Sequence, residues 1–337
     1  MSRTSICFLL LLASLVVLCA LSLFVGSASI PAADVLSILL GTPSDNSAWQ
    51  FIVLSSRLPA MLTALLCGAA LAVSGLLLQT AFRNPLAGPG IFGITNGAAL
   101  GVALVMLLLG GSVMSAVASL PGFLAVLLSA FLGAMLVTLL LLVLSAWVRS
   151  NVMLLIVGIM VGYLSSSAIA LLNYAATEEG VRSYMVWGLG SFEGVPMSLM
   201  PLFSATVVLS LAAAFVLAKP LNALLLGERY ADSLGIATRR VRSELLFVSG
   251  MLAAVATAFC GPIAFIGLAV PHVARLLLGT QNHRQLLPAT LLVGALTAVA
   301  CHVASGLLGR LGSAVPINAL TPLVGAPVII YVILKGK

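Results

Sequence analysis

The sequence has very little charge: only 7% of its 337 residues are Asp, Glu, Lys or Arg, whereas 62% are hydrophobic. A soluble domain is about one quarter charged, because its surface must face water. The mean hydropathy of +1.25 reflects the same shortage of polar groups. This composition excludes a soluble protein and predicts an integral membrane protein whose solvent is lipid.

Acidic residues are the scarcest charged type, and none occurs between Asp45 and Glu178. A proton- or sodium-coupled carrier usually keeps a carboxylate within its spans, but here each Asp and Glu falls in a predicted loop or at a helix end. This disfavours a secondary carrier with broken helices, although unwound backbone carbonyls alone can bind Na⁺. That alternative stays open, together with a membrane scaffold or sensor, for which no loop resembles an effector domain.

Motifs for catalysis are also missing. No G-x-x-x-x-G-K-[ST] phosphate loop occurs, so the chain is not predicted to hydrolyse nucleotides itself. Neither the three His nor the five Cys have metal-ligand spacing, and Cys301 and His302 point about 100° apart on a helix. His302 is the one candidate for a ligand contact, with a packing role as the alternative. We predict no catalytic residue, no metal, no cofactor and buried free thiols.

The hydrophobic runs predict about ten transmembrane helices, each close to the ~20 residues that a bilayer requires. Only Gly261-Pro262 separates the seventh from the eighth, so nine helices is the alternative. The links are short, so residues 1–337 are predicted to form a single transmembrane domain. The predicted helices are about 5–25, 58–82, 92–110, 121–146, 152–174, 199–218, 244–260, 262–278, 287–308 and 316–334.

Basic residues are distributed unequally between the loops. With ten spans and a cytosolic N-terminus, one set of loops carries twelve Lys and Arg, whereas the other carries only Arg57, Arg182 and Arg310. This is the positive-inside pattern, and it predicts that both termini are cytosolic. The net charge of +7 therefore indicates membrane lipid rather than nucleic acid as a partner. The first apolar run exceeds a usual signal-peptide core, so we expect an uncleaved helix.

Two hydrophobic segments are interrupted by Gly and Pro. In "RNPLAGPGIFGITNG", residues 83–97, Asn84-Pro85 is expected to end the second span, because the residue before proline avoids the α region. Gly at four-residue spacing then gives the third helix a face for close packing. "FCGPIAFIGLAVPHVARLLLG", residues 259–279, has a matching break in the other half. The two spans run in opposite directions, which indicates an inverted repeat.

Five segments, spread from the second span to the last, together resemble one family. They resemble the permease subunits of binding-protein-dependent ABC importers for iron chelates, haem and vitamin B12, the FecCD or type II importer permeases. The segments are "RLPAMLTALLCGAALAVSGLLLQTAFRNPLAGPGIFGITNGAALG" (57–101), "LLLGERYADSLGI" (224–236), "GPIAFIGLAVPHVARLLLG" (261–279), "HRQLLPA" (283–289) and "PINALTPLVGAPVIIYVIL" (316–334).

The resemblance implies an all-α permease of the cytoplasmic (inner) membrane, with ten helices per subunit. It also implies a second permease subunit, forming a homodimer, two cytosolic ABC ATPase subunits, and a periplasmic or surface-tethered substrate-binding protein. The expected cargo is a large metal chelate, with an iron-siderophore or haem favoured over cobalamin because iron systems are commoner. ATP hydrolysis would then reside in a partner chain.

By the same resemblance, residues 222–242, "NALLLGERYADSLGIATRRVR", are expected to dock into the ATPase. Asn222 is interpreted as the N-cap, and Gly235 as the C′ residue, of a helix of about three turns. Glu228, Ala231 and Gly235 match the family's loop pattern. The alternative is a basic interfacial loop that only orients the protein. Three arginines are expected to meet the membrane surface or the partner: Arg239, Arg240 and Arg242.

The fifth helix is expected to border the translocation path, as it does in the family. Together with residues 174–195 it is the least family-like part of the chain, so ligand choice would lie there. Small and hydroxyl side chains would give a smooth, weakly polar wall for a bulky ligand, and the alternative is helix packing through small residues. The residues are Gly158, Gly162, Ser165, Ser166, Ser167 and Asn173.

Arg57 and Arg310 are expected to dock the binding protein. In the family, arginines at these places meet glutamates on the two lobes of that protein, and an Arg can hold a carboxylate bidentately. Two subunits would offer a symmetric pair of contacts. Ala60 and Met61 stand where a second arginine often follows, which leaves fewer contacts. The alternative is that either arginine anchors to lipid phosphate.

Overall fold

The computed structural model describes residues 3–26, 28–42, 46–108, 120–148, 150–309 and 315–335. Within these ranges the chain forms helices, turns and bends and no strand, so the predicted all-α class is confirmed. Seven helices are long and apolar enough to cross a membrane, and three shorter apolar helices accompany them. The chain is therefore a multi-pass membrane protein.

Each predicted span corresponds to one helix. The last two are interrupted in sequence by Pro but continue as helix. The ten are α1 (Arg3–Phe24), α4 (Leu58–Ala81), α5 (Ile94–Leu108), α6 (Leu120–Trp147), α7 (Asn151–Ala175), α9 (Met200–Val216), α12 (Thr238–Cys260), α13 (Ile266–Leu278), α14 (His283–Gly309) and α15 (Ile317–Lys335).

The seventh and eighth predicted spans are separate helices, which removes the nine-helix alternative. Helix α12 ends at Cys260, and Gly261 follows with φ +74°, a conformation that a residue with a side chain rarely adopts. The backbone stays non-helical until Phe265, whose φ of +66° precedes the start of α13. The break at Gly261-Pro262 is therefore a full interruption and not a kink.

In the described ranges, five short α-helices lie between the long ones, and the hydropathy pattern had not indicated them. They are too short to show an apolar run of their own. Helix α3 continues through a π-helical turn, Ile52–Arg57, into α4, so this span extends back to Ser47. The five are α2 (Ala32–Leu39), α3 (Ser47–Phe51), α8 (Glu178–Gly188), α10 (Ala218–Leu225) and α11 (Glu228–Ser233).

Helices α4 and α12 form the centre of the bundle. In their most apolar stretches, 83% of α4 and 78% of α12 are buried, against 11% of α1. Glycine allows α4 to touch its neighbours: a Cβ on Gly75 would lie 1.7 Å from the carbonyl oxygen of Gly267 on α13. On α5, Gly97 and Gly101 meet α6 in the same way, which confirms the predicted packing face.

Candidate coupling, path and docking sites

Residues 218–233 form two short helices instead of the one three-turn helix predicted over 222–235. Helix α10 ends at Leu225, and the chain turns at Gly227, which has φ +121° and ψ 146°. Only glycine adopts this conformation without strain, because it has no Cβ. Helix α11 then begins at Glu228. The break follows from Gly227, which the sequence analysis had placed inside a helix.

Asn222 is not an N-cap of its own helix, because it lies in the middle of α10. Its Oδ1 accepts from the backbone N–H of His283 at 2.7 Å and lies 3.0 Å from Nδ1 of the same residue. Its Nδ2 donates to Oδ1 of Asn282 at 2.9 Å. Asn222 therefore satisfies a free N–H at the start of α14 and ties α10 to that helix.

Gly235 is the C′ residue of α11, as predicted. Its φ is +80°, its N–H donates to the carbonyl of Asp232 at 2.9 Å, and the N–H of Ile236 donates to the carbonyl of Ala231 at 3.1 Å. This pair of hydrogen bonds is the Schellman motif. Ala231 is fully buried beneath the helix. These two residues fix the shape of the turn that follows α11.

The charged residues of the predicted coupling segment differ in exposure. Glu228 forms an ion pair with Arg242, whose side chain is only 11% exposed, so α11 is fastened to the start of α12. Arg242 is thus an internal contact and not the surface residue we expected. Arg239 and Arg240 are exposed, and Arg240 pairs with Glu244 one turn later. These two arginines and the free side of Glu228 remain open to a partner.

The six residues predicted to form a wall on the fifth span, here α7, are divided between two faces. Gly158, Gly162 and Ser165 are buried. A Cβ on Gly158 would lie 2.8 Å from Cα of Phe92, and one on Gly162 would lie 2.9 Å from Nδ2 of Asn96. These glycines therefore serve helix packing, the alternative weighed above. Ser166 and Ser167 are exposed, and Asn173 is half-buried.

The two interrupted segments meet at one cavity of about 390 Å³. Gly88 to Ile91 line it from one half of the chain, and Pro262 to Phe265 with Gly267 and Leu268 line it from the other. Asn318 holds the second break: its Oδ1 accepts from the N–H of Ala264 at 3.2 Å, and its Nδ2 donates to the carbonyl of Gly188. Asn96, on the same wall, donates to the carbonyl of Gly162 on α7.

Helix α8 lies within the least family-like segment, residues 174–195. Thr177 caps it by accepting from the N–H of Gly180 at 3.3 Å. Tyr184 stacks on Trp187, and burial raises the pKa of the Tyr184 phenol. Arg182 and Trp187 line a mostly apolar cavity of about 640 Å³ between α5, α6, α8 and α12.

Arg57 is buried, with 6% of its surface exposed, where an outward-facing side chain was expected. Its Nη1 donates to the carbonyls of Leu23 at 2.8 Å and Phe24 at 3.3 Å, and its Nη2 donates to Ala28. The last carbonyls of a helix have no partner within that helix, and Arg57 supplies one for α1. A docking contact would require this side chain to leave the carbonyls. Arg310 lies outside the described residues.

His302 and the five Cys were the remaining residues with possible ligand chemistry. His302 packs its ring edge-on against Phe192, with ring centroids 6.2 Å apart, as expected for a packing histidine. All five Cys are free thiols, and three of them are buried. No group of three His, Cys, Asp or Glu that could hold a metal ion occurs in the described part of the chain. The links made by Arg57 and Asn222 carried no local sequence signal.

Comparisons with known proteins agree with this architecture. A solved structure of a metal-chelate type ABC transporter in an inward-facing conformation matches with a TM-score of 0.84 and 32% identity, covering 98% of this chain and 99% of that one. The hemin transport system permease protein HmuU of Yersinia pestis is 35% identical over 320 residues, 94% of this chain and 92% of that protein.

A second relative is the vitamin B12 import system permease protein BtuC of Salmonella typhi, which is 37% identical over 333 residues, 98% of this chain and 94% of that protein. The FecCD transport family matches residues 14–335. Because this match runs across nearly the whole sequence and both relatives align over more than nine-tenths of it, the chain belongs to the FecCD transport family.

Proposed function

We propose that this chain is the permease subunit of a binding-protein-dependent ABC importer that carries a large metal chelate across the cytoplasmic membrane. The observation that carries the proposal is the full-length match to a metal-chelate type ABC transporter, supported by relatives that import hemin and vitamin B12. Residues 1–337 act as a single permease domain with both termini in the cytosol. The distribution of twelve against three basic residues supports that orientation.

The favoured cargo is haem or another iron chelate, and cobalamin is the second candidate. The hemin and vitamin B12 relatives are 35% and 37% identical, so sequence distance does not separate the two ligands. The test is uptake into proteoliposomes that contain the chain, its ATPase and its binding protein. Labelled haem, a ferric siderophore and cobalamin are compared with and without ATP. ATP-dependent uptake of none of them, while the assembly hydrolyses ATP, would contradict a chelate importer.

The partners proposed for this chain are a second copy of itself, two cytosolic ATPase subunits and a substrate-binding protein. In this arrangement ATP is hydrolysed by the ATPase, and the permease responds by changing shape. Helices α10 and α11 are the proposed coupling element. Asn222 links α10 to the start of α14, and the Glu228–Arg242 ion pair links α11 to α12. A push on the coupling element would therefore reach two long helices, α12 through α11 and α14 through α10.

Gly235→Leu combined with Glu228→Arg tests the coupling element. The first change places a side chain at φ +80°, and the second removes the ion pair to Arg242. We expect loss of ATPase copurification and of transport, with the permease still folded. Glu179→Arg is the control for ATPase copurification, because it reverses the charge of an exposed carboxylate that lies outside residues 222–242. Intact copurification and transport in the double variant would contradict the assignment.

The proposed path runs between paired copies, along the exposed face of α7 that carries Ser166 and Ser167. The cavity where the two interruptions meet lies against the other side of this helix, through Asn96 and Gly162. Ligand selection is proposed to involve α8, whose Arg182 and Trp187 line the largest apolar cavity described above. Arg310 is retained as a proposed docking residue for the binding protein.

A further inference from the structure

A cavity of about 440 Å³ lies where α4 ends and α14 begins, beside α10. We call this end of the bundle the basic end. Both helices are candidate membrane spans that terminate here, so the cavity lies at the level of the lipid headgroups. Four of its polar side chains are more than nine-tenths buried, so the cavity has an ordered polar wall within the protein. Its polar lining is Gln79, Thr80, Arg83, His272, Arg275, Gln281 and His283.

The cavity carries positive charge with no negative charge to balance it. Arg83 donates one hydrogen bond, from Nη2 to the carbonyl of Leu224 at 2.7 Å, and Arg275 donates one, from Nη1 to Oε1 of Gln79 at 2.7 Å. Neither makes an ion pair with a described carboxylate, and no Asp or Glu lines the cavity. A guanidinium has five N–H donors, so most donors of both residues remain unused.

The guanidinium of Arg275 is held in position by its neighbours. Nε2 of Gln79 donates to the carbonyl of Leu268 at 3.0 Å, which turns Oε1 toward Arg275. The two imidazoles are occupied as well. Nε2 of His272 donates to the carbonyl of Pro85, and the His283 ring is held between Thr80 and Asn222. The histidines therefore form part of the wall, and the unused N–H groups of the two arginines are available to bind a ligand.

We propose that this cavity binds a phosphate group between Arg275 and Arg83. Arg275 is partly buried, whereas Arg83 is exposed. A partly buried cation is normally paired, and guanidinium groups bind phosphate oxygens bidentately. A group with several oxygens and a full negative charge would use the donors that the protein leaves unsatisfied. The inference concerns this end of the permease alone and does not depend on which chelate is carried.

Two sources can supply the phosphate: the headgroup of an anionic phospholipid or a free phosphate ion. Basic cavities between membrane helices bind anionic headgroups, and beside its polar residues this cavity has an apolar wall, formed by Pro85, Leu224, Leu225, Leu286 and Val332. A lipid would occupy both parts of the cavity, whereas a free ion would occupy only the polar part. The shared chemistry is the phosphate group, and the experiment distinguishes the two sources.

The experiment uses the delipidated full-length chain in a neutral detergent. In one arm, the unfolding temperature is measured with inorganic phosphate and with chloride at equal ionic strength. In the other arm, native mass spectrometry compares retention of phosphatidylglycerol with that of phosphatidylcholine, which has the same phosphodiester but adds a choline cation. We expect a rise of several degrees in phosphate, at least tenfold preference for phosphatidylglycerol, or both. A response in one arm alone supports the site and identifies its source.

Three variants link the effect to the cavity. Arg275→Gln removes the held cation, and Lys219→Gln is the control, an exposed cation at the same end that does not line the cavity. Gln79→Glu keeps both cations but places a carboxylate beside Arg275 as a built-in counter-ion. We expect Arg275→Gln and Gln79→Glu to lose at least tenfold in binding, and Lys219→Gln to bind like the original chain.

The proposal fails if the original chain responds to neither probe, or if all three variants respond equally, since surface charge would then explain the effect. It also fails if Arg275→Gln abolishes ATPase copurification while the original chain ignores phosphate and phosphatidylglycerol. In that case the cavity is a contact for the partner protein. Because Gln79→Glu retains every arginine, a misfolded Arg275→Gln variant alone does not decide the outcome.

Discussion

Helices α4 and α7 are nearly equal in length and hydropathy, yet 83% of the most apolar stretch of α4 is buried and only 22% of that of α7. The difference lies in where the small residues stand. On α4, Gly and Ala occur on every side of the helix, so neighbours approach all round it. On α7, of the small residues only Gly158, Gly162 and Ser165 lie on one buried stripe, and large side chains such as Met160 and Leu164 are exposed on the other faces.

This contrast shows what hydropathy measures in a membrane protein. Lipid is as apolar as leucine, so a helix facing lipid or a second subunit is as hydrophobic as one at the centre. What separates the two is whether backbones can touch. The buried stripe on α7 is Leu154, Gly158, Gly162 and Ser165, at helical spacing, and the remaining face is open to lipid, to a second copy or to the path.

The largest expected effect comes from Gly75→Ala on α4. The added Cβ would lie 1.7 Å from the carbonyl oxygen of Gly267, a backbone atom that cannot move away alone. We expect a loss of at least about 3 kcal/mol in the free energy of unfolding, measured by denaturation in mixed micelles. Gly90→Ala is the control, because nothing lies within 4 Å of its Cβ. Equal stability of the two variants would mean that α4 and α13 do not cross at these residues.

Truncation of one leucine on each helix tests the difference in burial between α4 and α7 directly. Leu76 on α4 is completely buried, whereas Leu164 on α7 is 72% exposed. Leu76→Ala leaves a cavity, so we expect a loss of about 3 kcal/mol. Leu164→Ala leaves none and should stay within about 0.5 kcal/mol. Both are measured by the same denaturation in detergent. A large loss for Leu164→Ala in the isolated chain would show that α7 packs against more of this chain than described.

A smaller effect is expected within the buried stripe of α7. A Cβ on Gly158 would meet backbone, 2.8 Å from Cα of Phe92, whereas one on Gly162 would meet the mobile amide of Asn96 at 2.9 Å. We therefore expect Gly158→Ala to cost about 2 kcal/mol and Gly162→Ala about half as much. The measurement is again the free energy of unfolding. The reverse order would indicate that the Phe92 backbone yields more easily than the Asn96–Gly162 contact.

The same physics explains how far the sequence determines the fold. Each of the ten predicted spans has a corresponding helix among the described residues, because hydropathy and Gly-Pro breaks are local signals. The short helices α10 and α11 were merged into one, because the sequence does not distinguish Gly227, which has a positive φ, from a glycine inside a helix. Both Gly158 and Ser167 are small, and only the position of Phe92 distinguishes the packed stripe from the open face.

The candidate sites were harder to predict, because their contacts span long distances in sequence. Arg57 reaches carbonyls about thirty residues earlier, and Asn222 reaches His283 from 61 residues away. The family resemblance suggested docking for the first, and residue type suggested capping for the second. Gly235 was correctly identified, because the Schellman motif is completed within the neighbouring six residues.

The smallest effect on stability is expected from single cysteines placed at positions 165, 166 and 167 of α7. Cys7 and Cys19, the two partly exposed native thiols, are first replaced by Ser. Each change conserves volume, so stability should stay within about 0.5 kcal/mol. A small aqueous thiol reagent should modify positions 166 and 167, which are exposed, and spare 165, which is 4% exposed. If the exposed face borders the path, the rates at 166 and 167 should also change when ATP is added to the assembled importer. Uniform inertness at both exposed positions, in lipid and with ATP, would place that face against lipid or the second subunit, whereas rapid reaction at 165 would show that the stripe opens.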